Sequence, residues 1–411
     1  MLVQTTFFGA YGIGALLFYL YSHYKTDLLN KIGYKNGILI GLALATFGCA
    51  LYYPISYSNT FYIYLVPLFI IGIGFTFLQI ACNPYVTLLG DSETASSRLN
   101  LAQGINSLGT TIAPVLGAYF LLADIEDSQD LAGPFLSLAT IFLCTFIFIY
   151  FQNLPDYKNE NISAKTNIFK YPQVTYGMLA IFLYVGAEVA IGSKLTEYLM
   201  LENIGGFTKE TAGTYVGIYW GGAMIGRLSS AFIFNKGMTL TYRIFLSIIS
   251  TIITFIIILI AIFITKGLVL NDIYPLMYFI PIQFIALLIF KNSTHKVLAL
   301  FAFIIILLLL IAFAFEGKIA MWSIFNSIMW SNIFTITIAN LGKSTAKASS
   351  LLIIMITGGA IFPLVMGTVS DHFNLETAYL IPIIAYLYIS FYGIYSTKLT
   401  QKNKLNELLR N

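Results

Sequence analysis

Charge is scarce in this sequence. Of 411 residues only 10% are Asp, Glu, Lys or Arg, while 58% are hydrophobic; soluble domains carry about 25% charged residues. A chain this poor in charge cannot cover its own surface with polar groups, which excludes a water-soluble globular protein and makes lipid part of its solvent. Cysteine is scarce too. Cys49, Cys82 and Cys144 stand singly inside apolar runs, which excludes a disulfide framework or a spaced zinc site and leaves packing as their role. His23, His295 and His372 sit singly near the ends of such runs, so no His-based metal cluster is expected. Long polar loops are missing, the largest being residues 153–172. A membrane-embedded glycosyl- or acyltransferase would need an acid–base cluster, often in such a loop, and none is present. The net charge of +4 arises from short loops and a basic tail and points to no nucleic acid. Met1-Leu2-Val3-Gln4 has no basic stretch before its first apolar run, so a cleavable signal peptide is not expected.

What the sequence has is apolar runs, thirteen of them. Five lie near 3–22, 38–55, 62–89, 100–122 and 134–152. Eight more lie near 173–199, 211–234, 244–265, 273–290, 296–315, 319–340, 349–369 and 377–396. Runs of roughly 20 apolar residues cross the hydrocarbon as helices, because only a helix satisfies its own backbone there. The fold class is therefore all-α, a polytopic membrane protein. Of the 22 Lys and Arg residues, 17 fall in one alternate set of loops and the tail, and only Lys209, Lys266 and Lys318 in the other. Lys194 and Arg227 lie within or at the ends of runs; Arg227, like Lys31 and Lys35, is expected to latch loops at the cytoplasmic side. Basic loops face the cytoplasm, which predicts a multi-pass protein of the bacterial inner (cytoplasmic) membrane with residues 153–172 and the C-terminal tail inside. The sparse side carries Asp124, Glu126, Asp127 and Asp130. The same count puts Met1 outside with nothing upstream to carry it across, so a first helix is expected to be missing.

An internal repeat supports this reading. Leu89-Gly90-Asp91-Ser92-Glu93-Thr94-Ala95-Ser96-Ser97 is echoed by Leu341-Gly342-Lys343-Ser344-Thr345-Ala346-Lys347-Ala348-Ser349-Ser350. Gly109 precedes Pro114 by the spacing at which Gly358 precedes Pro363, and Phe8-Gly9-Ala10 resembles Trp220-Gly221-Gly222. The offset grows by about 40 residues between the earliest and later matches, enough for two spans, so a helix pair is inserted near 244–290. Two parallel six-helix repeats, related by an axis along the membrane normal, are the plan of the major facilitator fold. The expected domains are an N-terminal bundle over 1–152 lacking its first helix, a linker over 153–172, a C-terminal bundle over 173–397 and a basic tail over 398–411.

Polar residues inside spans are costly and are functional candidates. Glu188 is near mid-span, where it would bind and release a proton or hold a cation; a structural ion pair is the alternative. Gln79 and Asn83 are four apart and share a helix face, next to Pro84, which frees the carbonyl of Ile80. Gln103, Asn106 and Thr110 form a second stripe that Asn100 begins, and Asn326 and Asn332 interrupt a later span near Trp322 and Trp330. Neutral amides offer the donors and acceptors that sugar hydroxyls need, although they also bond helices together.

The stretch Asn83-Pro84-Tyr85-Val86-Thr87-Leu88-Leu89-Gly90, continued through Ala95 to Gln103 and Asn106 to Pro114, resembles the fucose/glucose/galactose:cation symporter family of the major facilitator superfamily. So do Tyr184-Val185-Gly186-Ala187-Glu188-Val189, Tyr219-Trp220-Gly221-Gly222-Ala223-Met224 and Phe325-Asn326-Ser327-Ile328-Met329. The resemblance implies import of a monosaccharide with a proton or sodium ion by alternating access, with no other cofactor and one chain as the working unit. Fucose-transporting members carry a glutamate just before Ala-Ala-Asn-Pro-Tyr; Gln79 holds that position here and cannot titrate. Gln79 with Glu188 resembles the glucose/galactose branch. The family also places an aspartate on a first helix. The expected roles are sugar binding by Gln79, Asn83, Gln103, Asn106 and Asn326, and coupling by Glu188. A truncated, non-transporting chain is the alternative.

Overall fold

With no water to bond in a bilayer, each apolar run must pair its amides internally, and every one of the thirteen contains a helix. The computed structural model describes residues 2–24, 28–58, 60–122, 132–155, 167–265, 274–314, 322–341 and 344–408. The acidic run Asp124, Glu126, Asp127 and Asp130, together with Met1, Gly342, Lys25, Lys158, Lys165, Lys266, Lys318, Lys343 and Arg410, lies outside them. The first-half helices are α1 (Leu2–Tyr24), α2 (Tyr34–Ile55), α3 (Leu65–Leu88), α4 (Ala95–Leu122) and α5 (Ala132–Phe151). Then follow α6 (Pro172–Met200), α7 (Lys209–Ile233), α8 (Leu240–Thr265), α9 (Tyr274–Ile289) and α10 (Thr294–Ala314). The last are α11 (Met329–Ile338), α12 (Thr345–Ile354), α13 (Gly358–His372) and α14 (Ile381–Leu408). A single 3-10 turn, Met355–Thr357, joins α12 to α13. No strand occurs among the described residues.

Among the described residues, nine helical stretches are long and apolar enough to cross a membrane, and α4, α7, α9 and α11 are not among them. The last two are short, of 16 and 10 residues. The first two are long but carry polar residues, with Asn100, Gln103, Ser107 and Thr111 along one face of α4 and Arg227, Ser229 and Ser230 around α7. These two helices pack along each other. Their polar residues are thus turned inward, which is where a bilayer allows them.

The helices gather into two compact units. The first comprises Met1–Leu89, Asp124–Phe182 and Thr337–Ile361, and the second Gly90–Ala123, Leu183–Ile336 and Phe362–Asn411. Each takes segments from both sides of residues 153–172. In the first unit α2 packs on α3 and α5, and α1 on α3 and α12. Cys49, Tyr52, Ile71 and Ala139 form a core there, with Phe75, Phe135 and Phe142 against it. The Tyr52 and Phe135 rings stack with centroids 3.6 Å apart. Lys35 donates to the carbonyls of Tyr150 and Gln152 at 2.7 and 2.8 Å. It caps the open end of α5, so this base does latch one helix to another.

In the second unit α8 and α9 pack on α7, while α10 packs on α14. The α10–α14 pairing has the place in the second half that α2–α5 has in the first. On that likeness α10 corresponds to α2, and α8 and α9 are the helices without a counterpart in the first half.

The crossing of α2 and α3 depends on two glycines. A Cβ on Gly41 would stand 2.7 Å from the Gly74 carbonyl oxygen, and one on Gly74 would stand 2.7 Å from the Gly41 oxygen. Backbone meets backbone here, so no side chain can yield. Gly74→Leu is expected to cost at least about 1–3 kcal/mol and to deplete monodisperse protein in size-exclusion chromatography. A normal yield and elution profile would show that the crossing tolerates separation.

Candidate functional site

The site in the second unit starts from a break in the backbone. Trp322–Phe325 is a 3-10 turn, residues 326–328 form a further turn, and α11 begins only at Met329. A segment that is not continuously helical leaves carbonyls without amide partners, and these must be met from elsewhere. Arg227 on α7 meets one: its Nε donates to the Ser327 carbonyl at 2.9 Å. The hydroxyl of Tyr184 on α6 lies 3.2 Å from the Asn326 carbonyl. Gly226 makes this approach possible, since a Cβ there would collide with the Ser327 side chain and lie 2.8 Å from the Ile324 carbonyl oxygen.

From those anchors Arg227 and Tyr184 converge on Glu188. Arg227 Nη2 reaches Glu188 Oε1 at 3.2 Å, and the Tyr184 hydroxyl donates to the same oxygen at 2.7 Å. Arg227 Nη1 donates to Ser107 Oγ on α4 at 2.6 Å, and Ser107 in turn donates to the Gln103 carbonyl at 2.8 Å. Asn326 completes the network with its side chain. It donates to the Tyr219 hydroxyl at 3.1 Å and accepts from the Tyr386 hydroxyl at 2.8 Å. Glu188 is 8% exposed, Arg227 5% and Asn326 fully buried. One anion and one cation, each with further hydrogen bonds, is the arrangement in which buried charges persist.

The candidates divide between the two units. Gln79 and Asn83 share a face of α3 in the first unit, where the Asn83 amide donates to Gln79 Oε1. In the second unit Glu188 and Asn326 lie on either side of the Tyr184 hydroxyl, and Gln103 meets the network by its backbone carbonyl, which accepts from Ser107. Asn106 is exposed on α4 and is no part of that network. Asn100 leaves its expected stripe and meets Asn332, whose Oδ1 accepts from Ser96 Oγ at 2.8 Å and from Asn100 Nδ2 at 3.4 Å. Asn100 Oδ1, Asn332 Nδ2, Ser331 Oγ and Trp330 Nε1 are buried without a partner. The Trp322 side chain lies outside the description.

Arg227 requires a correction: it does not latch a loop at a helix end but lies buried against Glu188. It follows the start of α7 by eighteen residues, deep in an apolar run, and an arginine so placed needs an anion. Glu188 was the available one, so the pair could have been read from the sequence. Tyr184 stands four residues before Glu188 on the same face of α6, a spacing that also signals contact. Tyr219 and Tyr386 had no such signal among many membrane tyrosines.

A chain of membrane-crossing helices that encloses one compensated carboxylate among neutral amides and phenols has the build of a solute carrier. Among the described residues no group of His, Cys, Asp and Glu is arranged to hold a metal ion. A family model for the Major Facilitator Superfamily matches residues 2–294. The chain is similar to a glucose/galactose transporter of Brucella abortus, 36% identical over 413 residues that cover 97% of this chain and 85% of that protein. It is also similar to the L-fucose-proton symporter of Escherichia coli, 30% identical and covering 89% of this chain and 79% of that one. A crystal structure of the E. coli fucose:proton symporter superposes with a TM-score of 0.71 and 27% identity, covering 96% of this chain and 90% of that one. The chain belongs to the major facilitator superfamily and, within it, to the fucose/glucose/galactose symporter family.

Removing one partner of a buried ion pair leaves the other charge bare, at a cost of about 3–5 kcal/mol. Glu188→Gln and Arg227→Met should each lower stability by about that amount, while the double variant should lose less than the sum. Unfolding of the four proteins in detergent measures this cycle. Additive losses would mean that the two side chains do not hold each other.

Proposed function

We propose that this protein is a secondary active transporter that imports a monosaccharide together with a proton or a sodium ion by alternating access. Glucose and galactose are the favoured substrates over L-fucose. The observation that carries this reading is the single compensated carboxylate, Glu188, set among groups that are otherwise neutral. Amides and phenols suit an uncharged, hydroxyl-rich solute because each both donates and accepts. One titratable acid suits one coupled ion: a proton on Glu188 would cancel its attraction for Arg227, and a sodium ion beside it would compete with the guanidinium. Support for the sugar comes from the relatives, which carry the names of glucose/galactose and fucose transporters.

Gln79 and Asn83 in the first unit, and Gln103, Asn106 and Asn326 in the second, are the amides assigned to the sugar. Gln79 cannot carry a proton, which supports assigning coupling to Glu188. No cofactor beyond the coupled ion is assigned. Residues 1–152 and 173–397 would be the two functional domains, linked by 153–172 and followed by a basic tail, in a monomer of the inner membrane with its C-terminus in the cytoplasm.

The test is uptake of labelled glucose, galactose and L-fucose into liposomes holding the purified chain, with a proton or a sodium gradient imposed separately. Uptake above equilibrium with one gradient and not the other is expected, glucose or galactose leading. Equal uptake with and without either gradient would reduce the protein to a facilitator, and no uptake of any of the three would reject the reading.

A further inference from the structure

The inserted pair, α8 and α9, is not explained by transport or by the repeat. Most of its surface is what lipid requires, with Phe245, Ile252, Ile260, Ile282 and Ile285 exposed. Its buried polar residues are Arg243, Ser247, Thr254 and Gln283, and Thr254 bonds only to the Ser250 carbonyl of its own helix. Ser247 on α8 is fully buried and Gln283 on α9 is 1% exposed. A buried amide in an otherwise apolar span has to have a partner, and both residues find it in one place. The Gln283 side chain donates to Ser229 Oγ at 3.1 Å, and Ser247 Oγ donates to the Ser229 carbonyl at 2.9 Å.

Ser229 is therefore held on its side chain by one inserted helix and on its backbone by the other. It lies two residues beyond Arg227, in the same turn of α7. That turn is tied further: Ser229 Oγ bonds to the Gly226 carbonyl at 3.2 Å and Ser230 Oγ to the Arg227 carbonyl at 2.9 Å. The insertion also grips the other wall of the site. Phe279 on α9 packs edge-on against Phe325 with centroids 5.9 Å apart, immediately before the turn whose carbonyl Arg227 uses. At the lower end of α7, Arg243 on α8 donates from Nε to the Ile233 carbonyl at 2.8 Å, closing the helix terminus. Higher up, a Cβ on Gly221 would meet Ile258 of α8 at 2.7 Å.

We propose that α8 and α9 are a clamp that fixes the turn of α7 bearing Arg227, with Gln283 and Ser247 as positioning residues acting through Ser229. None of them touches Arg227 itself. Each limits how far its turn can rotate or slide, and the distances from Arg227 to Ser327, Ser107 and Glu188 depend on that turn. The effect on transport rests on the reading above, whereas the clamp itself does not.

The test uses the full chain with Gln283→Leu, Ser229→Ala, the hydroxyl-preserving Ser229→Thr, and Ile285→Ala as a lipid-facing control. Hydrogen–deuterium exchange of amides 224–231 and the kinetics of uptake are measured on each. Loss of one buried hydrogen bond should speed exchange in that turn about tenfold, the ratio set by roughly 1.4 kcal/mol. Exchange in α10 and α14 should stay as in wild type. The maximal rate of uptake should fall about tenfold with KM within about twofold, the pattern of a group that acts after binding. Ser229→Thr should keep wild-type behaviour, as should Ile285→Ala. If Gln283→Leu does not fold, Ser229→Ala carries the comparison. Unchanged exchange at 224–231, a rise shared equally by α10 and α14, or faster exchange with transport intact would each overturn the proposal. Should wild type move no sugar, the transport reading falls, and the exchange arm still decides whether the clamp exists.

Discussion

Between Phe325 and Met329 the backbone stops being a regular helix, and the polar interior of the second unit is organised around that stop. A bilayer punishes unmet carbonyls by several kcal/mol each, so a break is tolerated only where protein surrounds it. Here the Asn326 carbonyl accepts from the Met329 amide at 3.2 Å, and the Ser327 carbonyl is offered to Arg227. An arginine drawn in this way brings a positive charge with it, and that charge requires Glu188. A regular helix through 322–338 would offer no carbonyl to Arg227, and the ion pair would lose its anchor.

The pair is well supplied with bonds. Arg227 uses its Nε and both terminal nitrogens, on a carbonyl, a serine and the carboxylate. Asn326 uses its amide nitrogen, its amide oxygen and, through the Met329 amide, its backbone carbonyl. The contact of Asn100 with Asn332 is the opposite case. It leaves Asn100 Oδ1 and Asn332 Nδ2 unmet, and a buried unmet group costs about 1–3 kcal/mol. Two polar clusters of the same unit thus differ in kind: one is held by saturation, while the other persists against a penalty and must be supported by the packing around it.

The helices were legible because hydrophobic length is a direct consequence of bilayer thickness. The expectation of an additional pair came from the repeat, because adding two spans shifts every later match. Arg227 was misplaced for a separate reason. Its run, 211–234, contains it seven residues from the end, and hydropathy alone does not say whether a charge so placed faces the cytoplasm or the interior. Its pairing with Glu188 is a three-dimensional fact that follows only when each intramembrane charge is required to have a partner. Asn326 was recognised as a candidate, but its saturation by two tyrosines from distant helices could not be seen, since neither tyrosine has a spacing that marks it. The stripe through Asn100, Gln103 and Asn106 was real as a spacing and wrong as a single environment, because one face of α4 meets different neighbours along its length.

Insertion of two helices into a repeat should be disruptive unless the newcomers bind surfaces that the repeat leaves open. The pairing of α10 with α14 matches that of α2 with α5, so the repeat has kept its own contacts. What α8 and α9 cover is the side of α7 that carries Ser229, and they cover it with polar groups aimed at Ser229 and the end of the helix. Purely apolar helices would have shielded α7 just as well without fixing its rotation, because van der Waals packing against lipid-like surfaces has little angular preference. The buried Gln283 and Ser247 are costly to place in a membrane, and a cost borne at two positions that converge on one residue implies that the orientation of α7 matters. The charge whose position that orientation sets is Arg227.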